Sequence, residues 1–233
     1  MINKRPLGLF TTFDNGKLFL PRYLDYSFGN IAPTIEYLLT GVKSGYLLPK
    51  DCFGGKYPKP KRVVLILIDS FGFKSWERFG KKLKPLAKIM NQGLVTPLSA
   101  LFPPTTASSI TSLCLGRLPS RHSLFAWNLF IEQYGEIIQP LLFSPLGTKK
   151  AGACIDLGFN PHCLASCHET VYQRLKKRGL ASYCFVPGSV ADSIYNQEVY
   201  KGAKSVPFRT VSEGLLHLKT QLMQEETGYF QFY

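Results

Sequence analysis

Residues 63–69 read VVLILID, from Val63 through Ile68 to Asp69, and Ser70, Phe71 and Gly72 follow. Six consecutive aliphatic residues leave no room for the alternation of a half-exposed strand, so the run predicts a strand buried on both faces, as in a parallel sheet. A carboxylate closes it. Ligands of open parallel sheets bind beyond the carboxyl ends of the strands, which places Asp69 where a ligand would sit. An Asp that merely caps the following turn accounts for the same position equally well.

Working downstream, Trp76, Phe79, Leu83, Leu86 and Ile89 recur at spacings of three and four, with Gly93 as a stop. That pattern predicts a helix covering the sheet, kinked at Pro85. Leu94 to Leu101 reads as the next strand, placed at an edge by Pro97. A loop from Phe102 to Thr105 leads into the helix ASSITSLCL (107–115), closed by Gly116. Ser166 with Glu169 has the spacing of a capping box and opens a helix through Leu175 that Gly179 ends; the strand SYCFV (182–186) comes next. Thr210 and Glu213 repeat the capping pattern ahead of Leu215, Leu216, Leu218, Leu222 and Met223, and YFQFY (229–233) follows Gly228. Strands alternating with helices predict an α/β fold, a mostly parallel sheet with helices on both faces. Upstream, Ile31 to Thr40 reads as a helix stopped by Gly41. The rest of residues 1–55 looks irregular, so the organisation expected is an N-terminal segment over 1–55 and an α/β domain over 56–233.

The 233 residues are 45% hydrophobic and 13% aromatic, enough for one sizeable core. No apolar run approaches the roughly 18 residues of a membrane span, and the opening residues are too interrupted by charge and Gly for a signal peptide. A soluble cytoplasmic protein with no membrane partner is expected. The formal charge of +13 suits nucleic acid, a membrane surface or a phosphorylated small molecule. Its basic clusters (Lys56, Lys59, Lys61 and Arg62; Lys81 and Lys82; Lys176, Lys177 and Arg178) are scattered and, apart from Tyr57, lack interleaved aromatics. This argues against a nucleic-acid groove. Six cysteines are too few for a stapled secreted domain, and Cys114, Cys154 and Cys184 lie in apolar surroundings that suit buried thiols. Oligomeric state leaves no trace in the sequence.

Thr105 and Thr106 follow two prolines at the start of a helix, where free N–H groups and the positive end of the dipole favour an anion. A hydroxyl there could attack phosphorus. On base rates one of the two is more often simply an N-cap. An unaided Thr hydroxyl does not ionise at neutral pH, so a nucleophile needs a base or a metal beside it, and Asp69 could hold that metal.

VLILIDSFGF (64–73) followed by FPPTTASSITSLCLGRLPSRHSLFAWNLF (102–130) resembles the type I phosphodiesterase and nucleotide pyrophosphatase group of the alkaline phosphatase superfamily, in its bacterial "alkaline phosphatase family protein" branch. The similarity continues through EIIQPLLFSPLG (136–147), ETVYQRLKKRGLASYCF (169–185), KGAKSVPFRT (201–210) and GYFQFY (228–233), and covers most of residues 15–233. The resemblance implies a hydrolase with two divalent metal ions, usually zinc. In it a Thr or Ser oxygen attacks a phosphoester or nucleotide-like small molecule, and a covalent phospho-enzyme is then hydrolysed. Asp69 matches the first metal ligand. Thr106, ten residues before the Gly of GRLPSRH, matches the nucleophile that also touches metal, with Thr105 as its competitor. Asn128 lies within one residue of an Asn that holds a phosphoryl oxygen. Trp127, Phe102 and Phe125 are candidates for pocket walls, although as isolated aromatics they read rather as core.

The chain departs from the pattern in its metal ligands. The family takes the others from an Asp-x-x-x-His stretch, an Asp-His pair and a later His, all after a strand of the GYFQFY type. None of the four His here lies four residues after an Asp, and no Asp-His pair occurs. His162, Cys163, Cys167 and His168 form a compact group that reads as a loop and helix start with thiols as fillers rather than a zinc site. Glu213 and His217 read as a solvated pair. The expectation is therefore a fragment of a longer enzyme, inactive by itself, with its remaining ligands beyond Tyr233. The alternatives are a non-catalytic remnant or scaffold of the same fold, and a phosphomonoesterase or sulfatase-like hydrolase.

Overall fold

A computed structural model describes every residue except Lys17, Ser166 and Cys167. Before the first long strand come a small hairpin, β1 (Thr12–Phe13) with β2 (Leu18–Phe19), and helix α1 (Ile31–Thr40), which Gly41 ends in the left-handed conformation. Strand β3 (Arg62–Ile66) is followed by helices α2 (Phe73–Phe79), α3 (Lys84–Gln92), α4 (Thr106–Leu115) and α5 (Pro119–His122). Strands β4 (Leu129–Ile131), β5 (Glu136–Gln139) and β6 (Ser144–Pro145) form a separate antiparallel sheet. Helices α6 (Ala153–Asp156) and α7 (Val171–Lys176) lead to β7 (Ser182–Pro187). Then come α8 (Gly188–Ala191), α9 (Ile194–Val199), β8 (Lys204–Phe208), α10 (Val211–Gln224) and β9 (Gly228–Phe232).

The main sheet has the order β3-β9-β7-β8 and is parallel throughout, with Arg62 opposite Gly228, Ser182 opposite Tyr229 and Tyr183 opposite Lys204. Every residue of β9 is buried, as expected of a strand covered on both faces. On one face Cys184, Val186 and Tyr229 pack with Ile110, Leu113 and Cys114 of α4, Ile35 of α1 and Val171, Tyr172 and Leu175 of α7. On the other, Tyr183, Phe185, Phe208, Phe230 and Phe232 pack with Leu218 of α10. The fold is α/β with helices on both faces of a parallel sheet. Cys114, Cys154 and Cys184 are buried free thiols.

Several local expectations fail, each for an identifiable reason. The VVLILID strand is not buried on both faces. Val64, Ile66 and Ile68 are 40%, 52% and 61% exposed, because β3 is the edge strand and α10 covers only the neighbouring strands on that side; Val63, Leu65 and Leu67 face the core. The single kinked helix is two: α2 stops before Gly80, α3 begins with Pro85 in its first turn, and neither buries a residue, so they do not cover the sheet. Leu94–Leu101 is no strand. It makes isolated bridges, Val95 to Ile2 and Ser99 to Ser27, since Pro97 lacks the N–H a ladder needs. Ser166 lies outside the described residues. The helix it was expected to cap begins at Val171, under a complete capping box of Thr170 and Gln173. The box of Thr210 and Glu213 on α10 is formed as expected.

Candidate active site

Strand β3 delivers Asp69 to an exposed turn at the carboxyl end of the sheet, and Ser70 there adopts φ +60°, a conformation few residues other than Gly, Asn and Asp accept. Helix α4 begins beside this turn. Its two threonines have separate tasks. Thr105 is the N-cap: its Oγ1 accepts from the Ser108 N–H at 3.2 Å and donates to the Phe125 carbonyl at 3.0 Å. Thr106 is the first helical residue, and its Oγ1 donates to Asp69 Oδ2 at 3.4 Å. Both of Thr105's hydrogen-bonding capacities are thus committed to backbone, whereas the Thr106 hydroxyl faces the carboxylate.

A third group meets them. Tyr233, directly after β9, donates its hydroxyl to the same Oδ2 at 3.0 Å. Burial first, and then the hydrogen bond to Asp69, pushes its phenol up to about 12, so it stays a donor at neutral pH. Sequence reading missed Tyr233. The signal was available in the pairing of two parallel strands, since β9 lies beside β3 and ends level with it, Ile66 opposite Phe232.

Asn128 lies exposed three residues after Phe125, and no described hydrogen bond joins it to Thr106 or Asp69. Phe102, Phe125 and Trp127 are not core. They are 70%, 45% and 54% exposed, because Phe102 stands on the loop before the α4 cap and the other two lie on the segment that this cap ties down. His122 is buried below the helix: its Nδ1 accepts from the Leu124 N–H at 3.1 Å, which leaves Nε2 to donate to Ser112 Oγ at 2.9 Å. Burial, and secondarily His168, holds its pKa down at about 4. A ring so placed serves structure, having no free nitrogen facing the Thr106 hydroxyl.

Most of the other candidate ligands have protein partners, although the buried Nδ1 of His217 neither accepts nor donates a hydrogen bond among the described residues. His162 Nδ1 lies 3.0 Å from both Glu198 Oε2 and Lys201 Nζ, and His168 Nε2 lies 3.0 Å from the Arg121 carbonyl; Cys167 is outside the described residues. Glu213 accepts from the Arg209 and Thr210 N–H groups, which lowers its pKa.

Asp69 and Thr106 supply hard oxygen donors facing each other, which fits one edge of one divalent ion's shell. A two-ion centre, with ions about 3.5–4 Å apart, takes several more carboxylates and imidazoles. Among the described residues no three His, Cys, Asp or Glu side chains converge. Among them, too, no helix is long and apolar enough to cross a membrane.

No curated protein and no solved structure matches this chain. The sequence model of a family described as type I phosphodiesterase / nucleotide pyrophosphatase matches residues 63–227, a stretch that holds Asp69 and both threonines and ends just before β9. With well over half its length inside that match, the chain belongs to the type I phosphodiesterase / nucleotide pyrophosphatase family.

Proposed function

We propose that this chain carries the nucleophile end of a metal-dependent phosphodiesterase or nucleotide pyrophosphatase, with Thr106 attacking phosphorus and Asp69 ligating a divalent ion, zinc by family habit. The family is one of phosphoester and nucleotide hydrolases, generally metal-dependent. The observation that carries the residue assignment is the division of labour between the threonines: Thr105 is spent on the cap, and Thr106 is turned to Asp69 at 3.4 Å.

The chain's own groups would act as follows. The Thr106 oxygen forms a bond to phosphorus while the ester P–O bond breaks and the leaving alkoxide or phosphate departs with the electron pair. The hydroxyl proton leaves through the exposed side of the site. Water then cleaves the Thr106–phosphoryl bond and restores the hydroxyl. The first-turn N–H groups of α4 other than that of Ser108, which the Thr105 cap already engages, would face the phosphoryl oxygens and stabilise their charge. A divalent ion held by Asp69 and Thr106 supplies Lewis acidity that eases ionisation of the hydroxyl. Asn128 is a weaker member of the set, proposed only as a contact for a phosphoryl oxygen.

The small described donor set makes turnover by residues 1–233 slow, so the test reads a single covalent event. Incubation with bis(p-nitrophenyl) phosphate and Zn²⁺ should place one phosphoryl adduct on the Thr106 peptide, detected by mass spectrometry, with release of p-nitrophenolate. Thr106→Ala and Asp69→Asn should abolish the adduct, while Thr105→Ala should retain it. An adduct on Thr105, or on neither threonine, sinks the assignment. The shortage of ligands favours a second reading, a non-catalytic chain of the same fold, which predicts no adduct at all.

A further inference from the structure

Asp69 stands on an exposed turn, and the torsion that rotates a carboxylate is broad, so nothing local fixes which oxygen faces Thr106. Its neighbour Ser70 offers Oδ1 only a 3.5 Å contact. The group that does engage the carboxylate at close range comes from another strand, 164 residues away in sequence: the Tyr233 hydroxyl, 3.0 Å from Oδ2.

Tyr233 is itself held on three sides. Its backbone N–H donates to the Phe185 carbonyl at 3.1 Å, extending the pairing of β9 with β7. On the other edge the Leu67 N–H donates to the Phe232 carbonyl at 2.9 Å, tying the end of β9 to the chain that runs on into Asp69. Its ring packs against the main core. A tyrosine has only two side-chain torsions, so a ring packed in this way aims its hydroxyl at little entropic cost.

We infer that Tyr233 is a positioning residue, whose hydroxyl binds Asp69 Oδ2 and so turns the carboxylate to present that edge to Thr106 while leaving Oδ1 with only the long Ser70 contact. This deepens the reading of Asp69 and Thr106 as the reacting pair and rests on it. Hydrogen bonds to a ligating carboxylate from outside its metal orient it, and removing such a partner costs about 10–100-fold in metal affinity or activity. Tyr233→Phe keeps the ring and its packing and removes only the hydrogen bond.

The experiment compares wild type, Tyr233→Phe and Asp69→Asn in three measurements. These are Zn²⁺ affinity by competition with a chromogenic chelator, counting the component that Asp69→Asn eliminates; kcat and KM for bis(p-nitrophenyl) phosphate; and thermal unfolding. Tyr233→Phe should weaken the Asp69-dependent Zn²⁺ affinity about tenfold and lower kcat by a similar factor. Its KM and melting curve should match wild type. A purely structural hydroxyl would instead lower the melting temperature and leave Zn²⁺ affinity alone, and that result overturns the inference. If Asp69→Asn loses zinc and activity while Tyr233→Phe retains both, the inference fails and the site reading stands. If Asp69→Asn changes neither, both fall together.

Discussion

The Arg174 guanidinium lies 3.1 Å from the Glu36 carboxylate, joining α7 to α1 across a carboxylate only 2% exposed. The same guanidinium reaches the Leu115 carbonyl at 3.3 Å, at the last turn of α4, so one side chain ties together three helices on the face of the sheet that supports Thr106. Removing one member of a buried pair strands the other charge, at about 3–5 kcal/mol. Glu36→Ala should therefore cost about 3 kcal/mol in urea unfolding, and the double variant Glu36→Leu with Arg174→Met should recover part of it. Equal losses in the single and double variants would contradict the pairing.

The two threonines of α4 should separate stability from chemistry. Thr105→Ala removes an N-cap and should cost about 1 kcal/mol. Thr106→Ala removes a hydroxyl at a half-exposed first-turn position and should stay within about 0.5 kcal/mol of wild type. Unfolding curves of the two variants, set beside the Thr106 adduct assay, test the division; a larger stability loss at Thr106 than at Thr105 would reverse it.

His122 gives the fold a pH dependence of known sign. Its folded pKa of about 4 lies below the ordinary imidazole value of about 6.5, so between these values the unfolded chain binds the proton and the folded chain does not. The stability it contributes is complete above about 6.5 and is lost as pH falls toward 4, amounting to about 2 kcal/mol between about pH 7 and pH 5. Carboxylates titrate as well, Asp25 among them, with its pKa lowered by Arg22. The measurement is therefore the difference between wild type and His122→Gln, whose loss over that interval should be smaller by the stated amount.

Gly214 lets α10 approach the sheet. A Cβ at that position would lie 2.7 Å and 2.8 Å from atoms of the Phe208 ring and 2.9 Å from Phe232. Alanine improves intrinsic helix propensity by about 1 kcal/mol, while overpacking a filled core costs about 1–3 kcal/mol. Both neighbours are buried aromatic rings stacked on each other, with centroids 5.0 Å apart, so the steric cost should prevail. Gly214→Ala is expected to lower the midpoint of thermal unfolding; a higher midpoint would show that the rings yield.

Much of the fold was legible wherever a local signal and the tertiary environment agreed. Capping at Thr210 and Glu213, the glycine stops at Gly41 and Gly116, and the apolar runs of β7 and β9 all encode their structure within a few residues. The failures lie where a neighbour decides. An aliphatic run says that a strand is apolar but cannot say whether a helix lies over it, and β3 proves open on one side. β4, β5 and β6 are two to four residues long, too short for alternation to register, and β8 carries Pro207 on the sheet's outer strand, where a missing N–H is tolerated. The meeting of Asp69 and Thr106 could be anticipated because one follows the aliphatic run of β3 and the other begins α4. The Tyr233 contact could not, because it exists only once β9 is known to pair with β3.

The uncovered side of β3 has a colloidal consequence. Val64 and Ile66 of a border strand, with Ile68 just past its end, form an oily ribbon, the kind of template on which strands of separate molecules stack. Mutual repulsion from the +13 charge should keep such ribbons apart in dilute buffer, but at about 1 M salt the screening length shrinks to roughly 3 Å and that protection should vanish. Light scattering of the purified chain should accordingly climb with ionic strength, and Ile66→Lys, which plants a charge on the ribbon, should flatten the rise.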